Sequence, residues 1–133
     1  MSQENVERFR DALIAWNDED VERCLAAADP AFIFHTSGAF LPHDPVYVGH
    51  PGFRAFWRAF HEAWERLDVD IARMEDLDDR VLALMNFDAV GRASGVRVQR
   101  QIANLASFER GLIVDLRAYG TWREALRAVG LEE

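Results

Sequence analysis

Residues 53–74 read FRAFWRAFHEAWERLDVDIARM, and the spacing of their apolar side chains changes partway along. From Phe53 to Trp64 the aromatic residues recur at intervals of three and four, which is the period of one face of an α-helix. Beyond Leu67 apolar and polar residues alternate, which is the period of a β-strand. The two periods predict a long amphipathic helix that leads into a sheet.

The C-terminal half keeps the two-residue period. Turn residues interrupt it at Asp78-Asp79, from Gly91 to Gly95 and from Glu109 to Gly111. We therefore predict four longer strands, at about residues 69–77, 80–91, 96–108 and 112–119. Strands joined by such short turns pair antiparallel, so this half is predicted to form a meander. A last helix is predicted over residues 122–129, capped by Thr121.

The N-terminal half is predicted to be mostly helical. A first helix spans residues 2–16, with Ser2 or Asn5 as its N-cap, and a second spans residues 21–28, capped by Asp18 or Asp20. A short strand at 31–35, a loop at 36–45 and a brief edge strand at Tyr47-Val48 follow. The order is ααβ(β)αββββ with a short C-terminal helix, so we predict an α+β fold in which a curved, cone-shaped antiparallel sheet packs on helices.

The composition excludes several classes of partner. The chain has 133 residues and a formal net charge of −8, whereas nucleic acids and anionic membranes bind basic surfaces. It has no apolar window of roughly 18 residues and no basic, apolar leader, so neither a membrane span nor a signal peptide is expected. The single Cys24 cannot form an internal disulfide, which fits the cytoplasm. We expect one cytoplasmic domain, residues 1–133.

The predicted strand 80–91 is apolar on both faces. Its even positions begin with Leu82 and Leu84, and its odd positions include Val81, Met85 and Phe87. A contiguous apolar face is rarely left in water, so both faces must be covered. We expect the helices to cover one face and a second copy of the chain to cover the other, which predicts a homodimer through the outer face of the sheet.

Several segments together resemble the nuclear transport factor 2-like superfamily in its SnoaL-like branch, a cystatin-like fold. These are Phe9–Trp16 with Asn17-Asp18-Glu19-Asp20, Asp29-Pro30-Ala31-Phe32, Tyr47-Val48-Gly49-His50-Pro51-Gly52, and Gly111-Leu112-Ile113-Val114 leading to Arg117-Ala118-Tyr119. The resemblance implies a cone with an internal pocket and a homodimer. It does not select one activity, because this fold hosts isomerases, dehydratases, cyclases, epoxide hydrolases and proteins without a known reaction.

By similarity to the family, we expect the even positions of strand 80–91 to face the pocket. The inward residues of the three sheet strands would then be Leu82, Leu84, Asn86, Asp88, Val98, Arg100, Ile102, Asn104, Ala106, Val114, Leu116, Ala118 and Gly120. The helical wall would be Phe9, Leu13, Trp16, Phe53, Phe56, Trp57 and Phe60. We expect a small hydrophobic ligand there, with Trp16, Phe56, Trp57, Phe60, Asn86, Arg100 and Ala118 as binding residues.

Three residues are candidates for catalysis. His35 ends the first strand where the ketosteroid isomerases are implied to carry their general base, and neutral imidazole accepts protons; alternatively, it only bonds the following loop. Asn104 aligns with the acid that stabilises the enolate oxygen in those enzymes, or else satisfies a buried backbone group. The isomerases' oxyanion-hole tyrosine falls near Ala12, which counts against steroid isomerisation. Asp88 is a base if its surroundings are dry, or lies at a solvated rim beside Arg100.

Two other sites are disfavoured. Epoxide hydrolases of this fold are implied to carry an Arg-x-Asp pair and a second Asp, but here Asn86 replaces the Arg and Ala118 the second Asp. For metals, His43, Asp44 and His50 share only a loop region, and no zinc-binding spacing is present. We expect no metal and no cofactor.

Three hypotheses about function remain open. The first is a cofactor-independent enzyme of the isomerase, cyclase or dehydratase type. The second is a protein that binds or senses a hydrophobic molecule without catalysis, and the third is a dimerising scaffold with a filled cone. The polarity of the pocket separates the first two, because proton transfer needs a base within reach of the ligand.

Overall fold

The computed structural model describes residues 3–36 and 45–131, which form a curved six-stranded sheet with helices. The elements are α1 Gln3–Asn17, α2 Val21–Ala26, β1 Ala28–His35, β2 Val46–Val48, α3 Gly49–Ala63, β3 Trp64–Asp76, β4 Arg80–Gly91, β5 Arg97–Glu109, β6 Leu112–Tyr119 and α4 Trp122–Ala128. The predicted α+β class and element order are confirmed. Ser2 and loop residues 37–44, which include His43 and Asp44, lie outside the described ranges.

The sheet has the strand order β2-β1-β6-β5-β4-β3. Strands β3 to β6 form the predicted antiparallel meander, while β1 pairs parallel with β6 and antiparallel with β2. Arg110 and Gly111 join β5 to β6 with φ angles of 54° and 78°, which suit a tight hairpin turn. Register shifts within β3 and at the β5–β6 pairing mark bulges, which bend a sheet.

Two strands begin earlier than the sequence pattern predicts. Trp64 was expected in the long helix but is the first residue of β3, where its φ of −118° and ψ of 129° are those of a strand. Its ring packs against Phe60 and Phe87, which holds it at the junction of helix and sheet. β1 begins at Ala28 because Ala28 already pairs with Ile113 of β6.

The start of α3 is held against β1. Gly49 has a φ of 69°, and a Cβ at this position would lie 2.7 Å from the carbonyl oxygen of Pro30. A residue with a side chain would therefore meet both backbone strain and a clash. The neighbouring His50 bonds the carbonyl oxygen of Ala28 through Nε2 at 3.0 Å. These contacts place the aromatic face of α3 over the inner face of the sheet.

The inward face of β4 is the odd set, so the predicted assignment of the even set is wrong. Val81, Ala83, Met85, Phe87 and Ala89 join the core beneath α1, α2 and α3. Every odd position is apolar, whereas the even set includes the polar Asn86 and Asp88, which are stable near solvent. On β6, Ile113 rather than Val114 is buried in this core, because the register shifts there; Leu116 and Ala118 face inward as predicted.

The outer face is covered in part by the chain's own C-terminal helix. Leu82, Leu84, Ala103 and Leu105 form a second buried cluster with Ala125 of α4, and four further side chains from α4 and its flanks pack around it: Tyr119, Trp122, Leu126 and Val129. The apolar face that predicted a second subunit is thus covered within one chain. The homodimer stays a prediction, but this reason for it no longer holds.

Trp122 fixes α4 to the sheet. Its indole Nε1–H donates to the carbonyl oxygens of Met85 and Ile102, each at 3.0 Å. We expect Trp122→Phe to lower the free energy of unfolding by about 1–3 kcal/mol, because both bonds are lost in a shielded position. Urea denaturation measures the change. Trp57→Phe is the control, since the indole of Trp57 makes no hydrogen bond within the described residues; equal losses in the two variants would contradict the role of Trp122.

Candidate functional site

An apolar cavity lies between the inner face of the sheet and helices α1, α2 and α3. Its volume is ≈ 100 Å³. The lining residues are Phe9, Ala12, Leu13, Trp16, Cys24, Leu25, Ala28, Phe32, Phe34, Phe53, Phe56, Phe60, Val69, Met85, Phe87, Ile102, Asn104, Ile113 and Leu116. Aromatic rings supply much of this wall, and none of these described lining side chains carries a formal charge.

The aromatic wall is built by helical spacing on α3 and alternation on the strands. Phe53, Phe56 and Phe60 lie on one face of α3 and are all buried. The ring of Phe56 meets that of Phe34 edge-on at a centroid distance of 4.8 Å, and the ring of Phe60 stacks on Phe87 at 6.0 Å. Such edge-on and offset contacts are the favourable geometries for aromatic pairs, so the wall is stabilised by its own rings.

In the described part of the chain, Asn104 is the only amide side chain that lines the cavity. It faces inward from β5 between two small neighbours, Ala83 of β4 and Ala118 of β6, which leave space around the amide. Within residues 3–36 and 45–131 no protein group hydrogen-bonds this side chain. The predicted inward orientation of Asn104 is correct, whereas the alternative that it satisfies a buried backbone group is not supported.

Two further lining residues, Cys24 and Trp16, carry a polar group. Cys24 is buried, its Sγ donates to the carbonyl oxygen of Ala12 at 3.5 Å, and burial raises the pKa of its thiol to about 12. The thiol is therefore neutral near pH 7 and is not a nucleophile. The indole Nε1–H of Trp16 is buried and has no partner in the part of the chain that is described.

His35 lies on the outer face of the sheet, not in the cavity. Phe32 and Phe34 point inward from β1, so the alternation turns His35 outward. There its Nε2 bonds Oδ1 of Asp115 on β6 at 2.9 Å, and both side chains are partly exposed. The prediction that His35 enters the pocket is wrong. It followed the family resemblance, whereas the Phe-x-Phe pattern of this strand indicates that Phe32 and Phe34 face inward.

Asn86 and Asp88 also face outward, on the half of β4 that α4 does not cover. Asn86 is exposed. Asp88 forms a two-pronged ion pair with Arg97, at 3.1 and 2.8 Å, and this hydrogen bonding lowers the pKa of the Asp88 carboxyl. The solvated-rim alternative thus describes Asp88, with Arg97 in place of Arg100. A dry environment with a raised pKa is ruled out.

The remaining predicted binding residues are divided between the cavity and its surroundings. Trp16, Phe56 and Phe60 line the cavity as predicted. Trp57 stands behind Trp16, with the ring centroids 5.0 Å apart, and Ala118 is buried beside Asn104. Arg100 is exposed and does not line the cavity.

The sequence analysis missed part of the lining. Phe32, Phe34, Met85, Phe87 and Cys24 line the cavity, although none of them was assigned to the pocket. The sequences of β1 and β4 do indicate which face of each strand points inward. In each strand, one of the two alternating sets of side chains holds only large or apolar residues. Choosing the inward set by that criterion finds all four strand residues.

Metal binding has no support in the described ranges. No three His, Cys, Asp or Glu side chains come together there in a group able to hold a metal ion. His50 and His61 are instead bonded to backbone carbonyl oxygens, those of Ala28 and Trp57. Nor does any described helix combine the length and apolar character needed to cross a membrane.

The raised pKa of Cys24 predicts a pH dependence of stability. The unfolded thiol ionises at its ordinary value of 9.0, whereas the buried thiol keeps its proton to about pH 12. Its contribution to stability is therefore complete below pH 9 and declines as the pH rises toward 12, by up to about 1.4 kcal/mol per pH unit. Urea denaturation at pH values from 8 to 11 should show a steeper decline in the free energy of unfolding for the wild type than for Cys24→Ala. Parallel declines in the two proteins would contradict this prediction.

Comparison with known proteins agrees with this geometry. A SnoaL-like domain family matches residues 6–116. An NTF2-like protein of unknown function from Burkholderia pseudomallei superposes with a TM-score of 0.83 at 19% identity, covering 96% of this chain and 97% of its own. TerC co-crystallised with polyporic acid gives 0.81 at 13% identity, covering 95% and 97%.

A third structure, from Catenulispora acidiphila, has a ketosteroid isomerase-like fold and is in complex with trimethylamine. It gives a TM-score of 0.76 at 13% identity, covering 94% of this chain and 93% of its own. At these identities the structures establish the fold alone. No curated protein matches the sequence. Because the family match spans most of the chain, this protein belongs to the SnoaL-like domain family.

Proposed function

We propose that this protein binds a small, uncharged, largely apolar molecule in the cavity between α3 and the sheet. The observation that carries the proposal is the lining itself, an aromatic and aliphatic wall with Asn104 as its one amide. A concave apolar site with a few polar groups is the usual form of a small-molecule site. Two structures with this fold, TerC and the Catenulispora protein, hold small molecules, which supports the proposal.

The volume of the cavity limits the size of the ligand. At ≈ 100 Å³ the cavity is somewhat smaller than an engineered apolar cavity of about 150 Å³ that accepts benzene. Drug-sized ligands occupy pockets of roughly 300 Å³ or more. We therefore expect ligands with about six non-hydrogen atoms to enter without displacement of the wall.

Binding is favoured over proton-transfer catalysis because the described wall lacks a base. His35 and Asp88 lie on the outer face, and an amide such as Asn104 does not titrate. Among the lining residues that the structure describes, Cys24 alone is titratable, and its thiol is neutral near pH 7. Asn104 is then an anchor that donates to, or accepts from, a polar atom of the ligand, rather than a catalytic residue.

Filling the cavity tests the proposal. Ala12 lines the cavity from α1, and Ala12→Leu adds three carbon atoms there while keeping a good helix former. We expect the wild type to be stabilised by cyclopentanone or methylenecyclopentane, by about 2.7 kcal/mol at a hundredfold excess over Kd, and Ala12→Leu not to be. Calorimetric titration and thermal unfolding measure both effects.

The matched control is Ala128→Leu, the same change at an exposed position of α4. It should bind the two probes like the wild type. Equal binding by Ala12→Leu and the wild type would place the ligand elsewhere, and absence of binding to the wild type would refute the proposed function.

The predicted homodimer has one remaining physical basis. On the outer face of β1 and β2, Ile33, Val46 and Val48 are 37%, 44% and 61% exposed, and burial of this apolar patch would favour association. We expect light scattering of the eluted protein to give twice the chain mass, and Val48→Asp to give the single-chain mass because it places a charge in the patch. A wild type of single-chain mass would refute the dimer.

A further inference from the structure

We propose that the side-chain amide of Asn104 forms a pair of hydrogen bonds with one bound molecule, so that the cavity selects small neutral ligands whose N–H donor and carbonyl acceptor lie side by side, as in a lactam. This inference rests on the proposed binding function and adds the chemical class of the ligand. It goes beyond a single anchoring contact, because it requires one molecule to use both ends of the amide.

Both polar atoms of the Asn104 side chain are accessible. Asn104 is half-buried, and neither its Oδ1 nor its Nδ2 has a hydrogen-bond partner within residues 3–36 and 45–131. Over the same residues, the only shielded polar side-chain atoms without a partner are the indole nitrogens of Trp16 and Trp64. The two amide atoms of Asn104 also lack a partner but are not among these shielded atoms, so each of them can be reached.

The accessible surface of Asn104 belongs to the cavity. Its neighbours along β5, Ala103 and Leu105, are buried, and so are its partners on the adjacent strands, Ala83 and Ala118. Asn104 itself lines the cavity. The side chains of Ala83 and Ala118 end at Cβ, which leaves room beside the amide for a small ring. The amide therefore presents its donor and its acceptor to a molecule in the cavity.

The geometry of an amide selects the arrangement of polar atoms in its partner. The carbonyl oxygen and the N–H donors of Asn104 are carried by one carbon atom, so they lie side by side. A ligand meets both when its own N–H and C=O point the same way, which is the cis form of an amide. Open-chain secondary amides adopt the trans form, whereas a small ring imposes the cis form. A ketone meets only the N–H and leaves Oδ1 without a donor in an apolar wall.

The charge of the cavity wall excludes carboxylic acids, which offer the same pair of groups only while they are protonated. Carboxylic acids ionise well below pH 7, and none of the described lining residues is a cation that would stabilise the carboxylate. A lactam stays neutral and meets both amide atoms. The five-membered lactam 2-pyrrolidinone also has the size that a cavity of ≈ 100 Å³ accepts.

The experiment compares three probes of equal ring size in the wild type and in Asn104→Leu, which keeps a similar side-chain volume and removes both polar atoms. 2-Pyrrolidinone offers a donor and an acceptor, cyclopentanone offers an acceptor, and methylenecyclopentane offers neither. The probes differ in hydration, so the quantity compared is the Kd of each probe in the variant divided by its Kd in the wild type. We expect Asn104→Leu to weaken 2-pyrrolidinone about 100-fold, cyclopentanone about tenfold and methylenecyclopentane less than about twofold.

Asn86→Leu is the matched control. It makes the same chemical change on the neighbouring strand β4, where Asn86 is exposed on the outer face and does not line the cavity. The Kd values of all three probes should stay within about twofold of those of the wild type. A difference between 2-pyrrolidinone and cyclopentanone in this variant as large as in Asn104→Leu would overturn the inference.

A second measurement needs no variant. In the wild type, the N–H proton of bound 2-pyrrolidinone should show a nuclear Overhauser contact with the side-chain NH₂ protons of Asn104, which are assigned through the methyl groups of Ala83 and Ala118. Absence of this contact from bound 2-pyrrolidinone contradicts the paired hydrogen bonds.

The inference also fails if Asn104→Leu weakens 2-pyrrolidinone and cyclopentanone equally, or if the wild type binds cyclopentanone but not 2-pyrrolidinone. Those results leave the binding function intact. Failure of all three probes to bind the wild type refutes the function and the inference together.

Discussion

Residues Val81 to Met85 of β4 are each at most 1% exposed, so the sheet must be covered on both faces along this strand. The rest of the structure satisfies this constraint. On one side α1, α2 and α3 enclose the odd set and leave the cavity between them and the sheet. On the other side α4 covers the even set, fixed by the two hydrogen bonds of Trp122. One strand thus joins two separate apolar cores.

This arrangement also sets where polar chemistry can occur. The titratable side chains that were candidates for catalysis, His35 and Asp88, lie on the outer face beyond α4, where solvent reduces the cost of a charge. There His35 pairs with Asp115, and Asp88 pairs with Arg97. The cavity keeps groups that hydrogen-bond without ionising near pH 7. The separation of titratable side chains from the described cavity wall is the observation on which the proposed binding function depends.

The spacing of apolar residues was sufficient to predict the helices and strands. In β4, β6 and α4, for example, apolar residues recur at a regular interval that turn residues or a cap bring to an end. The inward face of β4 was misassigned because both of its faces are apolar near its start, although only the odd set is apolar throughout. The coverage by α4 depends on partners distant in the sequence, because seven residues of amphipathic helix do not reveal which surface they meet. His35, Asn86 and Asp88 were misplaced with the strand orientation, whereas Asn104, Phe9, Trp16 and the three phenylalanines of α3 line the cavity as predicted and Trp57 does not.

The continuity of the sheet has a consequence for how a molecule reaches the cavity. The backbone ladder from β1 to β3 forms an unbroken hydrogen-bonded wall, and α4 thickens it from behind. In the described structure, exchange with solvent therefore proceeds on the helical side, where α1, α2 and α3 are held by side-chain packing rather than by ladders. A molecule bound as proposed above would leave past the side chains of those helices, so their packing would set its residence time.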